Sequence, residues 1–157
     1  MSRERGDLPV AIPAPLLREL YRQARLAFPA ECCGWLAGPR TRPGTVDRLR
    51  PCTNALAGHR PKTGYAFTPE DLIALANALD SADTARVIYH SHPGGTADFS
   101  PVDRRLATDP WGLGPAYPVQ HLVVEIDPRQ VRAAALYAWS SCSRTFVEVT
   151  RYPGDDM

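Results

Sequence analysis

The sequence predicts a single α+β domain. Helical and strand-like hydrophobic periods alternate through the first two-thirds of the chain, and three strand-like runs fill the last third. No internal repeat, low-complexity tract or long linker divides them, and 157 residues are enough to bury one core. The expected domain is the whole chain, 1–157, with its core over about 11–150.

The first element is a helix over about Pro15–Ala27. Leu16, Leu17, Leu20, Tyr21, Ala24 and Ala27 recur at helical spacing, Arg18, Arg22 and Arg25 take the other face, and Pro29 closes it. The apolar run Cys32–Ala37 reads as a strand stopped by Gly38-Pro39, followed by a strand near Thr45–Pro51 and a mobile loop around Ala57–Thr63. Thr68-Pro69-Glu70-Asp71 starts a second helix, with Thr68 as N-cap, Pro69 in the first helical position and acids in the first turn. That helix runs through Leu79 and ends near Ser81. Ala85–Ser91 is β-branched and aromatic, hence a strand, and Pro93–Phe99 is a loop. Ser100-Pro101-Val102-Asp103 opens a third helix to about Thr108, and Pro110–Pro118 is irregular. His121–Ile126, Val131–Trp139 and Thr145–Thr150 are the last strands, with Asp127-Pro128 turning between the first two.

Composition limits the partners. Eighteen basic and seventeen acidic side chains leave a net charge of +1, which gives no support to a nucleic-acid or membrane-surface role. The first residues lack the apolar run of a signal peptide and no stretch approaches a membrane span, so the expectation is a cytoplasmic protein. Four cysteines, Cys32, Cys33, Cys52 and Cys142, include no C-x-x-C pair, and buried reduced thiols are expected. On a strand, Cys32 and Cys33 point to opposite faces.

The chemistry concentrates in Tyr89-His90-Ser91-His92-Pro93 and Ser100-Pro101-Val102-Asp103. Residues two apart on a strand share a face, so His90 and His92 present two imidazoles side by side. A Gly-containing loop can fold the start of the next helix back over the strand end and bring Asp103 to them. Two histidines and one carboxylate are a normal three-ligand set for catalytic zinc, with a fourth position left to water. Taken separately, the pieces have plainer readings: a His-x-His at a strand end, and a helix cap in Ser100-x-x-Asp103. Together they fix four polar residues within fourteen positions, and the capping role reinforces the metal role by holding Asp103 rigidly. A catalytic zinc site also needs a general base that is not a ligand. Glu31, at the start of the apolar strand Cys32–Ala37, is the early carboxylate placed beside a buried strand.

Glu31 taken with His90-Ser91-His92-Pro93-x6-Ser100-x2-Asp103 resembles the JAMM (MPN+) zinc metalloprotease family, and Glu31 to Gly38 resembles its short prokaryotic members, which act on sulfur-carrier and ubiquitin-like proteins. The match extends from about Leu16 to Ile126. The resemblance implies a curved mixed β-sheet flanked by helices, of the cytidine-deaminase-like type. It implies one zinc per chain on His90, His92 and Asp103, Glu31 as general base and acid, and Ser100 as a stabilising hydroxyl. The substrate it implies is an amide at the C-terminal tail of a ubiquitin-like or sulfur-carrier protein. The leaving group can be a cysteine, a C-terminal peptide or a lysine in an isopeptide bond. The tail can add as a strand along a sheet edge, in the Arg40–Thr63 region or by the loop holding Trp111, Tyr117 and Pro118. The alternative from another class is a non-catalytic scaffold of the same type; inactive relatives usually lack ligands, and this chain lacks none.

Overall fold

A computed structural model describes residues 8–56 and 64–155. Their elements, in order, are α1 (Ala14–Ala27), β1 (Cys33–Pro39), β2 (Arg48–Cys52), α2 (Pro69–Ala78), β3 (Asp83–Pro93), α3 (Pro101–Ala107), β4 (Gln120–Ile126), β5 (Val131–Ser140) and β6 (Thr145–Pro153). The strands form one mixed sheet ordered β2-β1-β3-β4-β5-β6, in agreement with the α+β expectation. Only β3 and β4 pair in parallel; the other neighbours are antiparallel. A parallel pair cannot be closed by a hairpin, so the chain must cross over, and α3 lies in that crossover.

The alternation of side chains along the central strands separates two packed layers. On one face Val87, Tyr89, Leu122 and Val124 pack with Leu20, Tyr21 and Ala24 of α1. On the other, Ile88 packs with Trp35 and with Leu75 of α2, while Val123 packs with Phe99 and with Ala107 of α3. Fully buried leucines such as Leu20, Leu36 and Leu122 each contribute on the order of 1.5–3 kcal/mol. Because β3 is covered on both faces, Ala85–Ser91 is buried without a break, which explains its continuous apolar reading.

α1 and α2 fall where the sequence puts them, and Thr68 Oγ1 accepts the Asp71 N–H at 3.1 Å as the N-cap of α2. Several boundaries differ, and β6 runs three residues further than expected, to Pro153. β1 runs through Gly38-Pro39 instead of stopping there. A bulge at Leu36/Ala37 lets the strand continue, and Arg86 donates to the Pro39 and Thr45 carbonyls at 2.7 Å each, which secures its end. β2 starts at Arg48, three residues later than expected. β3 extends through Pro93, so His92 lies within the strand. The expected loop at 57–63 is outside the described residues.

Gly34 is required by a close approach: a Cβ there would collide with the Arg50 carbonyl and the Tyr89 hydroxyl. Cys32 and Cys33 are buried, Cys32 in the α1-side core and Cys33 opposite His90 in the β1–β3 register. Cys52 is half-buried and Cys142 exposed, so the expectation of buried thiols holds for the first two alone. Among the described residues no helix is long and apolar enough to cross a membrane.

Candidate active site

The sheet and the crossover bring the predicted site residues together at the C-terminal end of β3. His90 and His92 share the face that α2 and α3 cover, and their Nε2 atoms stand 3.0 Å apart. Gly94, at φ +73°, turns the chain out of the strand, a conformation that favours glycine. Six residues on, Ser100 begins a reciprocal capping box with Asp103. Ser100 Oγ accepts the Asp103 N–H at 3.0 Å, and Asp103 Oδ2 accepts the Ser100 N–H at 3.0 Å. The cap fixes Asp103 so that Oδ1 lies 3.3 Å from His90 Nε2 and Oδ2 lies 3.2 Å from His92 Nε2.

Those three side chains have the chemistry of a cation socket. The Thr96 carbonyl, 2.8 Å from His92 Nδ1, requires a proton on that nitrogen. In the neutral ring this leaves the Nε2 lone pair facing both a carboxylate and a second imidazole, an arrangement that a proton or a metal cation between them would stabilise. Burial pulls the His92 pKa down, but the hydrogen bonds with Asp103 and Thr96 prevail and hold it above the ordinary value. Burial pushes Asp103 up, yet the two imidazoles and the Ser100 N–H outweigh it and keep the carboxyl well below the usual range. Two imidazoles and an ionised carboxylate suit zinc.

Glu31 completes the cluster from the residues that lead into β1. Cys33 sits opposite His90, so Glu31, two residues earlier, falls beside the His90–His92 end of β3. Ligand atoms of Glu31, His90 and His92 lie within 4.8 Å of one another. Asp103 stands 3.3 and 3.2 Å from the His90 and His92 Nε2 atoms, so carboxylates border the imidazole pair on two sides. Burial raises the Glu31 carboxyl above the ordinary range, against the opposing pull of the imidazoles and the Gly64 N–H. Ser91, between the histidines, points to the other face, where its Oγ accepts the Cys32 N–H at 2.8 Å and ties β3 to the approach of Glu31.

Three contributors escaped the sequence reading: Asn54, Gly64 and Tyr65. The Gly64 N–H donates to Glu31 Oε2. The Tyr65 ring stacks on His90 with centroids 4.6 Å apart. Asn54 donates from Nδ2 to the Glu31 and Gly64 carbonyls at 3.0 and 3.3 Å, and its Oδ1 accepts the Leu56 and Ala66 N–H groups at 3.0 and 3.2 Å. A lone Asn after a strand and a Gly-Tyr pair carry no local signal, because their roles arise from the way the segment passes over β1 and β3.

The cluster opens into a cleft of about 590 Å³ lined by Glu31, Gly64, His92, Ser100 and Asp103, among others. Of the two expected strand-addition regions, the first does contain a sheet edge, β2. In the second, Trp111 is 84% exposed while Tyr117 packs against the Trp35–Leu75 core.

Comparison with known proteins follows the same lines. The family described as prokaryotic homologs of the JAB domain matches residues 13–140. The chain is 38% identical over 104 residues to proteins named CysO-cysteine peptidase from Mycobacterium tuberculosis and Mycobacterium bovis, a match covering 64% of this chain and 67% of each relative. The solution structure of protein DSY2949 from Desulfitobacterium hafniense is similar at TM-score 0.63 and 25% identity, covering 87% of both chains. A protein from Salinibacter ruber shares the fold at TM-score 0.59 and 20% identity, over 87% of this chain and 86% of that one.

Proposed function

The chain belongs to the family of prokaryotic JAB-domain homologs, and on that premise we propose that it is a zinc-dependent peptidase. Its substrate in this reading is the C-terminal tail of a sulfur-carrier or ubiquitin-like protein. The mycobacterial relatives named CysO-cysteine peptidase support the sulfur-carrier class. The observation that carries the reading is the Asp103 carboxylate, locked by its cap at 3.2–3.3 Å from both Nε2 atoms of His90 and His92.

His90, His92 and Asp103 would hold the metal, one per chain. Zinc there supplies a Lewis acid and a water acidified from ~15.7 toward ~7. The remaining work falls to the chain's own groups. Glu31, with one oxygen pinned by the Gly64 N–H, takes the proton of the attacking water and returns it to the leaving amine. Its carboxyl, raised by burial, is a better proton acceptor than an ordinary carboxylate, which suits the base half of that exchange. The Ser100 hydroxyl accepts from the Asp103 N–H, which leaves its own proton to donate into the cleft toward the developing oxyanion. Donors of that kind contribute about 2.7–4 kcal/mol. Gly64 and Gly95 in the cleft wall leave room for an extended tail of small residues close to the reacting carbonyl.

Metal analysis combined with a peptidase assay tests the assignment. The wild-type chain should carry about one zinc and cleave a carrier-tail amide, and Asp103→Ala should lose both. Stoichiometric zinc in Asp103→Ala would refute the ligand set. The scaffold alternative predicts no cleavage by the zinc-loaded wild type.

A further inference from the structure

The two imidazoles of the candidate metal centre are held in place by different means. His92 has its Nδ1 tied to the Thr96 carbonyl at 2.8 Å. His90 has no counterpart to that contact. Its side chain is 1% exposed, and its Nδ1 is buried with no hydrogen-bond partner among the described residues. A metal-ligating histidine almost always donates its second N–H to an acceptor, which fixes both the tautomer and the orientation of the ring. The His side chain's second torsion is intrinsically broad, so an imidazole without that acceptor relies on packing to hold its plane.

The neighbours of the ring show which packing does this. Cys33 and Val123 stand beside His90 in the strand register, and neither offers a flat surface. His92 meets the ring at a steep angle, 62° between planes with centroids 4.8 Å apart. Tyr65 lies against it nearly parallel, at 24° and 4.6 Å. Tyr65 is itself anchored, edge-on to Phe67 at 5.7 Å, and Phe67 is edge-on to the buried Trp35 at 5.9 Å. The backbone supports this row, since Phe67 bridges to Asn54 and the Ala55 N–H donates to the Ala66 carbonyl at 2.8 Å. A line of four rings therefore runs from the core to the metal cluster.

We infer that Tyr65 is the positioning residue for His90: the face of its ring, in place of a hydrogen bond, orients the imidazole and sets how tightly the metal is held. The inference rests on the metal-site reading given above. Turning the His90 ring about its Cβ–Cγ bond would swing Nε2 away from Asp103 Oδ1 at 3.3 Å and from His92 Nε2 at 3.0 Å. The stacked phenol ring opposes that turn, because the imidazole cannot rotate without driving an edge into it. The stack also favours the metal-bound state over the free one. An imidazole that shares its lone pair with a cation is electron-poor, and the face of a tyrosine ring carries negative charge. Tyr65 follows Gly64, whose N–H donates to Glu31 Oε2, so two consecutive residues position the proposed base and one proposed ligand.

Two substitutions in the full-length chain test this: Tyr65→Leu, which keeps an apolar side chain without a ring face, and Tyr65→Phe, which keeps the face without the hydroxyl. The zinc Kd, measured by competition with a chromophoric chelator, should rise about 10- to 100-fold in Tyr65→Leu, the scale on which groups supporting a ligand act. Tyr65→Phe should bring it back to within about threefold of wild type, because the ring face remains. An unchanged Kd in Tyr65→Leu overturns the inference, and so does a loss in Tyr65→Phe as large as that in Tyr65→Leu. A second readout needs neither metal nor turnover: the imidazole resonances of the zinc-free chain. In wild type and Tyr65→Phe both histidines should give sharp signals. In Tyr65→Leu the His90 signals should broaden while those of His92, tied to Thr96, stay sharp. His90 signals that stay sharp in Tyr65→Leu, or are already broad in wild type, overturn the inference. Equal broadening of His92 does the same, since it would show a general loosening of the site. A wild type that binds no zinc rejects the metal-site reading, and the resonances alone then decide the role of Tyr65.

Discussion

Asp103 shows how one side chain can serve two ends, since the carboxylate that closes the α3 capping box is also the one presented to both imidazoles. Ser100 is its counterpart, and its observed cap can be separated from the oxyanion role proposed for it. Glycine at an N-cap costs only a few tenths of a kcal/mol, against about 0.5–2 for alanine. Ser100→Gly should therefore melt close to wild type and still lower kcat by roughly 10²-fold or more, measured by thermal unfolding and a tail-cleavage assay. His121 makes a prediction about pH. Its folded pKa lies near 3, against 6.5 ordinarily; burial is the main cause and the nearby His90 adds to it, with Asp103 opposing. The folded ring stays neutral where the unfolded one binds a proton, so between pH 6.5 and 3 this residue makes stability fall with acid. The slope is about 1.4 kcal/mol per pH unit. Urea melts at pH 7 and 5 should show His121→Phe losing less stability on acidification than wild type. Equal losses would show that His121 protonates in the folded protein. At this scale the sequence was most legible where spacing alone sets geometry: His90 with His92, and Ser100 with Asp103. It was silent on Tyr65, which meets His90 from the segment before α2, and on His121, whose place on the His90 face follows from strand register.

Among the elements, β3 is the one whose length matters most. Its continuation through Pro93 keeps both histidines on one pleated segment, and the sequence placed its end two residues too early because Pro93 reads as the start of a loop. Between β2 and α2, the Asn54 amide bridges Glu31, Gly64 and the backbone at Leu56 and Ala66. Asn54→Ala leaves several backbone groups without this partner and should cost about 1–3 kcal/mol. Through Gly64 it should also loosen Glu31. The expected outcome is a lower melting temperature and a reduced kcat with zinc content unchanged. A variant that melts lower but turns over at the wild-type rate would show that this segment does not position Glu31.

For the molecule as a whole, the parallel β3–β4 pair is the organising feature. It obliges a crossover, the crossover contains α3, and the start of α3 is thereby delivered to the end of β3 where the histidines lie. The sequence conveyed the inventory of helices and strands, since each has its own period. Strand order was out of reach from periodicity, because it depends on which buried strands pair. A metal bound only by the folded state must also stabilise it, by about 2.7 kcal/mol at a hundredfold excess over Kd. Added zinc should raise the melting temperature of the wild type, chelator should reverse the shift, and Asp103→Ala should show neither effect. The central claim, that Glu31 works beside a metal it does not hold, is tested most directly by Glu31→Gln. Zinc content and tail cleavage should be measured on the same preparation. The account predicts about one zinc per chain with hydrolysis reduced by 10²-fold or more; wild-type hydrolysis, or loss of the metal, would contradict it.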